Sequence, residues 1–372
     1  MDFELSEEQG MLRDTAREVL GRKYDIETLR AVTDTELGWD RGVWSSLAEI
    51  GILGLVFSEE DGGMGAGPEE LAAVMGVFGS TLAPEPFLGS VVTPGLLVQR
   101  AATDDALRAE VLGGLASGER LLAFSHHEKG DRWPMYRVAT SASDGTVSGA
   151  KSLVDHGDCA DAFVVSARDA DGVVGLYLVA ADAAGVSRTA YRTHDRRRGA
   201  QVVFDNAAAI PLGEGDASSI IGDVEVQTQA ALCAEAVGAM QRSLTLTTEY
   251  LKSRKQFGVT LANFQALAHR AADMYVKLEL ADSLARYATA TLADGRSDAI
   301  VSSRAKLQIC ESGKAIADES IQMHGGIGIT AEYPVAHFAS RLLAISHTLG
   351  DADAHRANLA SHVTDWDMVT VG

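Results

Sequence analysis

The sequence is poor in cysteine, short of basic residues relative to acidic ones, and lacks long apolar runs. Each shortage narrows what the chain does. Three cysteines, Cys159, Cys233 and Cys310, stand in 372 residues. They are far apart and form no Cys-x-x-Cys or Cys/His ligand pair. No disulfide framework and no metal site are expected; the reading is reduced, buried thiols in a cytoplasmic protein. Lysine and arginine number 32 against 52 acidic residues, a formal net charge of −20. Such a surface repels a phosphate backbone, so nucleic acid is not expected as a partner and the acidity reads as solvated surface. No window holds about eighteen uninterrupted apolar residues, so no membrane span is expected. No basic stretch followed by an apolar one opens the chain, so no signal peptide is read there. Internal repeats and low-complexity tracts are also missing. Hydrophobic residues make up 46% and charged residues 23%, an ordinary globular composition, and the length suits roughly two or three domains.

What is present falls into three blocks: residues 1–119, 120–213 and 214–372. The first reads as helices. One starts at Leu5 or Ser6, with Glu7 and Glu8 at the positive end of its dipole. Trp44, Leu47, Ile50 and Leu53 form a second apolar stripe. Ser58–Gly67 (SEEDGGMGAG) has glycines enough for a phosphate cradle, but no strand precedes it and no GK[ST] ends it, so it reads as a loop. A helix begins at Pro68 and ends before Pro84 and Pro86, and another spans Asp104 to Leu115. The second block alternates short β-branched and aromatic runs with turns, Asp144-Gly145 and Asp171-Gly172 among them. That is the pattern of a small antiparallel β domain. Its Arg196-Arg197-Arg198 run reads first as a solvated turn, and otherwise as a face for an anion or a partner chain. The third block predicts four helices, Ala230–Arg254, Asn263–Leu292, Ile300–Met323 and Val335 to about Val363, joined by short loops into a bundle. The second of these carries Phe264, Leu267, Ala271, Met274, Leu278, Ala281 and Ala285 on one stripe. The abundance of small residues suits close helix packing and an oligomer interface.

Two motifs in the third block stand out. EYLKSRKQFGVTLANFQALA (Glu249–Ala268) places Arg254, Gln256 and Gln265 around a Phe257-Gly258 break, and QMHGGIG (Gln322–Gly328) follows at the end of a later helix. With this α, β, α order, RKQFG and QMHGGIGITAEYP resemble the acyl-CoA dehydrogenase family. WSSLAEIGILGL followed by EEDGGMG, and VSGAKSLVDHGDCADAFVVSAR, extend the resemblance over almost the whole chain. It implies an α+β fold: an N-terminal helical domain, a middle antiparallel β-barrel domain and a C-terminal four-helix bundle. It also implies FAD as cofactor and α,β-dehydrogenation of an acyl-CoA thioester. In that reaction a glutamate takes the α-proton, the flavin takes the β-hydride and an electron-transfer partner reoxidises the flavin. In the family the bundle of one subunit reaches the FAD of its neighbour. By that analogy Arg254 meets the pyrophosphate, where a permanently charged fork suits phosphate oxygens. Gln256, Phe257 and Gln265 line the same cofactor. Gln322, His324, Gly325 and Gly326 approach its adenosine half, where missing side chains let the backbone come close. Taken singly, Arg254 also suits a helix C-terminus, Gly325-Gly326 a C-cap, and His324 a structural role.

The departures from the family are as informative. The middle-domain loop that offers its residues to substrate and flavin is here SHHEKGDRW (Ser125–Trp133), in which Glu128, Gly130 and Asp131 match only loosely. The Trp-x-Thr segment expected after a lysine is replaced: Lys151 is followed by Ser152, Leu153 and Val154. Leu349 stands at one family position for the catalytic glutamate. Thr228 and Gln229 stand at the other, and neither works as a base. No catalytic residue is therefore assigned. The features owed to a neighbour's FAD are kept, and those needed for this chain's own chemistry are lost. This implies a heterotetramer with a homologous subunit that carries the glutamate, as in actinobacterial α2β2 acyl-CoA dehydrogenases of steroid side chains, which the GDADAHR ending resembles. The alternatives are a complete homo-oligomeric enzyme using Glu225 or Asp351, and a flavin monooxygenase or scaffold on the same fold.

Overall fold

The computed structural model describes residues 5–134 and 137–365. Helices α1 (Glu7–Gly21), α2 (Ile26–Asp34), α3 (Arg41–Glu49), α4 (Pro68–Thr81), α5 (Thr93–Ala101) and α6 (Asp105–Ala116) form the N-terminal layer. Ser6 caps α1 through a reciprocal box with Gln9, which satisfies two otherwise orphaned donors. The Trp44 stripe is not one helix. It is cut at Gly51, whose φ of +79° no helix accepts, and resumes in a single 3-10 turn at Ile52–Gly54. A helical segment at Leu88–Ala101, entered through one wide π turn, had no counterpart in the sequence reading, because residues 84–87 (PEPF) look like a terminator.

The middle layer is an eight-stranded sheet: β1 (Leu122–Ser125), β2 (Ser141–Ser143), β3 (Thr146–Asp155), β4 (Ala162–Arg168), β5 (Val174–Ala180), β6 (Val186–Arg192), β7 (Arg198–Ala208) and β8 (Ile210–Pro211). The order is β6-β7-β3-β2-β4-β5-β8, with β1 on β4. Pairing is antiparallel, except that β1 and β2 meet β4 in parallel. Asp144 (φ +50°) and Gly145 (φ +74°) make the tight turn between β2 and β3, as an Asp-Gly pair favours. Among the described residues no ladder joins the two ends of the sheet, β6 and β8; β8 is only two residues long, and its Pro211 has no N–H to donate.

The C-terminal layer holds α7 (Ser218–Ser253), a short hairpin of β9 (Lys255–Gln256) and β10 (Val259–Thr260), α8 (Gln265–Ala293), α9 (Ala299–His324), α10 (Val335–His347) and α11 (Ala352–Ser361). The first bundle helix starts at Ser218, earlier than expected. The expected fourth helix is two, broken at Leu349 (φ +52°) and Gly350 (φ +99°). On α8, Met274, Leu278, Ala281 and Ala285 are buried in the bundle core, as the stripe predicts. The N-terminal layer meets the bundle where α4 crosses α7. A Cβ on Gly79 would fall 1.8 Å from the Glu235 carbonyl oxygen, and one on Gly238 would fall 2.0 Å from that of Gly76. Only glycines allow so close a crossing.

A buried charge cluster joins all three layers. Arg341 on α10 grips Glu235 on α7 with both arms, Nε to Oε1 at 2.7 Å and Nη2 to Oε2 at 2.8 Å. Its third nitrogen donates to Asp195 at 2.8 Å. Arg197 donates to Glu235 at 2.8 Å and to the Ala83 carbonyl at 3.1 Å. Burial pushes both carboxyls up, but the two guanidiniums outweigh it and hold Glu235 and Asp195 below the usual carboxylate range. The Arg196–Arg198 run is thus an internal clamp, which corrects its reading as a solvated turn. Arg198 is buried, and its guanidinium donates to the Thr33, Thr35 and Glu36 carbonyls at and just beyond the C-terminal end of α2, where a cation is favoured. Arg196 faces Asp34 at 3.5 Å. Replacing Arg341 by Met strands Glu235 and Asp195 with fewer partners. A loss on the order of 3–5 kcal/mol is expected in chemical denaturation, larger than for Arg356→Met, whose exposed ion pairs with Glu311 and Asp353 are worth under about 1 kcal/mol.

Candidate functional site

The last turn of α7 leads into the β9–β10 hairpin. Phe257 (φ +52°) and Gly258 (φ +82°) form its two-residue turn, and both left-handed positions match the twist of a tight hairpin. The expected break is therefore a projecting finger. Arg254, Gln256, Phe257 and Gln265 are exposed, Phe257 at 92%. The Arg254 guanidinium has no ion-pair or hydrogen-bond partner among the described residues. The second motif closes α9. Gln322, Gly325 and Gly326 are exposed, and a Cβ on either glycine would meet nothing within 4 Å.

His324 differs from the other seven. It is 3% exposed. Its Nδ1 donates to the Ser320 carbonyl at 2.7 Å, and its ring stacks on Tyr250 at 4.5 Å and packs on Tyr333 at 4.8 Å. Burial pushes its pKa down, so the ring is neutral. In this chain its role is internal: it pins the end of α9 to the end of α7, and so brings the two motifs to one end of the bundle.

At the break between α10 and α11 a second constellation forms. Gln229 Nε2 donates to the Leu349 carbonyl at 3.2 Å, His355 Nε2 donates to the same oxygen at 3.0 Å, and Lys306 Nζ donates to the Gly350 carbonyl at 2.9 Å. The two positions at which a family base is expected therefore touch. Thr228 is spent on the Val224 carbonyl at 2.8 Å and on Thr93 at 3.0 Å. Asp351 caps α11 by accepting from the Ala354 N–H at 2.8 Å, and that bond holds its pKa down, the wrong direction for a base near neutral pH. Glu225, one turn before Thr228, is different. Burial pushes its carboxyl from an ordinary 4.5 up to about 7. Its Oε1 lies 3.8 Å from His126 Nε2. His126 is driven down to about 3, first by burial and then by Lys151, so the contact is between a neutral ring and a carboxyl, not an ion pair.

The middle-domain loop is held by contacts of its own. Lys151 Nζ, fully buried, donates to Glu128 Oε1 at 2.8 Å, to the His126 carbonyl at 3.0 Å and to Ser166 at 3.1 Å. Glu128 also accepts from the Ala139 and Thr140 N–H groups at 2.9 Å. Leu153, where the family's aromatic is expected, sits at φ +53° with 63% exposure. It offers a flavin ring neither a stacking face nor a donor. The residues at the bundle end thus fit FAD, with open backbone and an unpaired cation, while those of the middle domain do not. A cleft of ≈ 930 Å³ between α1, α4, α7 and α8, and a pocket of ≈ 400 Å³ beside the Glu60–Gly67 loop, lie elsewhere, and neither is lined by Glu225 or Leu349.

Residues 6–119 match the family model described as acyl-CoA dehydrogenase, N-terminal domain, and residues 227–364 that of its C-terminal domain. The chain belongs to the acyl-CoA dehydrogenase family, FAD-dependent oxidoreductases. It is 31% identical over 346 residues to acyl-CoA dehydrogenase IpdE2 of Mycobacterium tuberculosis, covering 91% of this chain and 93% of that one. Among solved structures it is similar to the Tcur3481-Tcur3483 steroid ACAD (TM-score 0.89, 29% identity, 96% and 98% coverage). It is likewise similar to the ChsE4-ChsE5 complex from Mycobacterium tuberculosis (TM-score 0.89, 26% identity, 99% and 100% coverage). No described helix is long and apolar enough to cross a membrane.

The raised carboxyl of Glu225 has a consequence for stability. Its folded pKa lies above the unfolded one, so the folded state prefers the neutral form. The stability this preference gives is present below about pH 4.5 and is lost as pH rises to about 7. In thermal melts Glu225→Gln should gain on the parent across that window and keep the gain above it; parallel pH curves would contradict this.

Proposed function

We propose that this chain is the base-lacking subunit of a heteromeric acyl-CoA dehydrogenase, whose bundle end completes the FAD site of a homologous partner that carries the glutamate. The observation that carries the proposal is an asymmetry. Arg254 projects unpaired beside Gln256, Gln265 and Gly325-Gly326, while both base positions hold residues engaged in structural bonds. When bound, FAD supplies the hydride acceptor for dehydrogenation of the thioester. This chain's residues bind and orient. Arg254 neutralises the pyrophosphate, Gln256 and Gln265 donate to polar atoms of the cofactor, Phe257 covers it, and Gln322 with the Gly325-Gly326 backbone borders its adenosine half. His324 holds the two motifs in register. Exposed Phe257, Val259, Ile327 and Ile329 suit burial against the partner. Similarity to a steroid ACAD favours a bulky steroid CoA thioester as substrate, with an electron-transfer protein as acceptor and the cytoplasm as the compartment.

A second reading rests on Glu225, a half-buried carboxyl raised to about 7, as a displaced base in a complete homo-oligomer. Two measurements separate the readings. Purified alone, the chain should carry little FAD; co-expressed with its partner, the complex should carry one FAD per heterodimer. Arg254→Ala in the complex should then weaken FAD retention by about tenfold or more, an arginine–phosphate contact being worth a few kcal/mol, with the Tm of the FAD-free chain unchanged. Full FAD occupancy and acyl-CoA oxidation by the chain alone, abolished in Glu225→Gln, would establish the second reading instead.

A further inference from the structure

Trp133 belongs to the middle-domain loop but docks on the bundle. Its indole packs against His355, ring centroids 4.2 Å apart. It also lies over Gly350 so closely that a Cβ there would fall 2.4 Å from Trp133 Cε3 and 2.6 Å from His355 Nε2. The Glu225 carboxyl faces the same indole. The indole nitrogen is buried here, and its contact with Glu225 holds that carboxyl below where burial alone would put it. His355 is held in turn by the Leu349 carbonyl and by Ser303. The ring therefore lies against the Leu349-Gly350 break, whose carbonyls Gln229, His355 and Lys306 hold, and against the Glu225 carboxyl, beside the two positions at which the family resemblance implies a base.

We propose that Trp133 is a plug: its indole occupies the thioester position of this chain's own site, so that no acyl-CoA is accepted there and Glu225 is screened from substrate. This deepens the heteromer reading and takes its functional meaning from it, because a bundle that serves a neighbour is helped by closure of a second, baseless site that would otherwise sequester substrate unproductively. Three features support a built plug over chance contact. The glycine at 350 is required for the indole to fit. The carbonyls of Leu349 and Gly350 are fixed by three side-chain donors, so the platform under the ring is rigid. The loop that delivers Trp133 is anchored upstream by the buried Lys151–Glu128 pair.

The test uses the full chain, alone and without added FAD, and titrates octanoyl-CoA by calorimetry. Wild type should show no saturable binding, and Trp133→Phe, which keeps an aromatic plug, should behave the same. Trp133→Gly should gain saturable binding at least tenfold tighter than wild type. Trp133→Leu, which shrinks the side chain and leaves Gly350 and His355 unaltered, should gain binding too, and it carries the test if Trp133→Gly fails to fold by thermal melt. Wild type binding octanoyl-CoA as tightly as the opened variants would overturn the plug, and so would folded opened variants that gain nothing. FAD content, read separately, reports on the heteromer reading: full occupancy by the wild-type chain alone refutes that reading and leaves the plug to stand or fall on the titrations.

Discussion

Four charged side chains, Arg341, Glu235, Asp195 and Arg197, meet away from solvent where the bundle, the sheet and the N-terminal layer converge. Burying charge is expensive, and it is tolerated here because both Glu235 oxygens and one Asp195 oxygen face a guanidinium, while the other Asp195 oxygen accepts from the Thr193 hydroxyl. Such a cluster adds little net stability compared with apolar packing. What it supplies is position: Arg341 reaches Glu235 and Asp195 together only when α10, α7 and the β6–β7 turn sit in one arrangement. The glycine crossing of α4 on α7 lies beside the same glutamate, so helix spacing and charge geometry constrain each other. The placement of the sheet relative to the bundle, and with it that of every loop between them, follows.

Within that frame the chain carries two sites of opposite character. The bundle end is open: a hairpin finger with an unpaired arginine, a bare pair of glycines, and a stacked Tyr250–His324–Tyr333 core holding them together. The α10–α11 break is closed: its carbonyls are saturated by Gln229, His355 and Lys306, and a tryptophan covers it. An open polar end suits a ligand supplied by another surface. A saturated, covered break has nothing left to give to chemistry. Both stand on one family scaffold, and the fold alone does not fix what each does.

The three-layer α, β, α order was legible because each layer announces itself locally, through helical stripes, Asp-Gly turns and a proline at a helix start. The two motifs that carry the family resemblance were legible because RKQFG and QMHGGIG are contiguous. The arginine run was misread as solvated because its partners, Glu235, Ala83 and the carbonyls near the end of α2, lie from about 40 to about 165 residues away, and sequence spacing carries no sign of them. His324 is grouped with the cofactor residues in sequence because it lies inside the QMHGGIG motif; its burial depends on Tyr250 of α7 and on Tyr333, which the motif does not show. The split of the fourth helix was hidden because Leu349 alone is a good helix former, and its left-handed backbone is held by carbonyl contacts from three other segments.

The sequence by itself determined the fold and the cofactor class, since these rest on residue identity and short-range spacing. Tertiary structure decided which residues are offered and which are spent. Asp351 and Glu225 look equivalent in sequence, yet one caps a helix with a lowered pKa and the other is raised to about 7 by burial. Trp133, unremarked in its own loop, packs on His355 and Gly350 of the bundle, more than two hundred residues further along the chain. The physical reason is common to all of them: ionisation, exposure and contact are set by what lies within a few ångströms in space, and for these residues almost none of that is near in sequence.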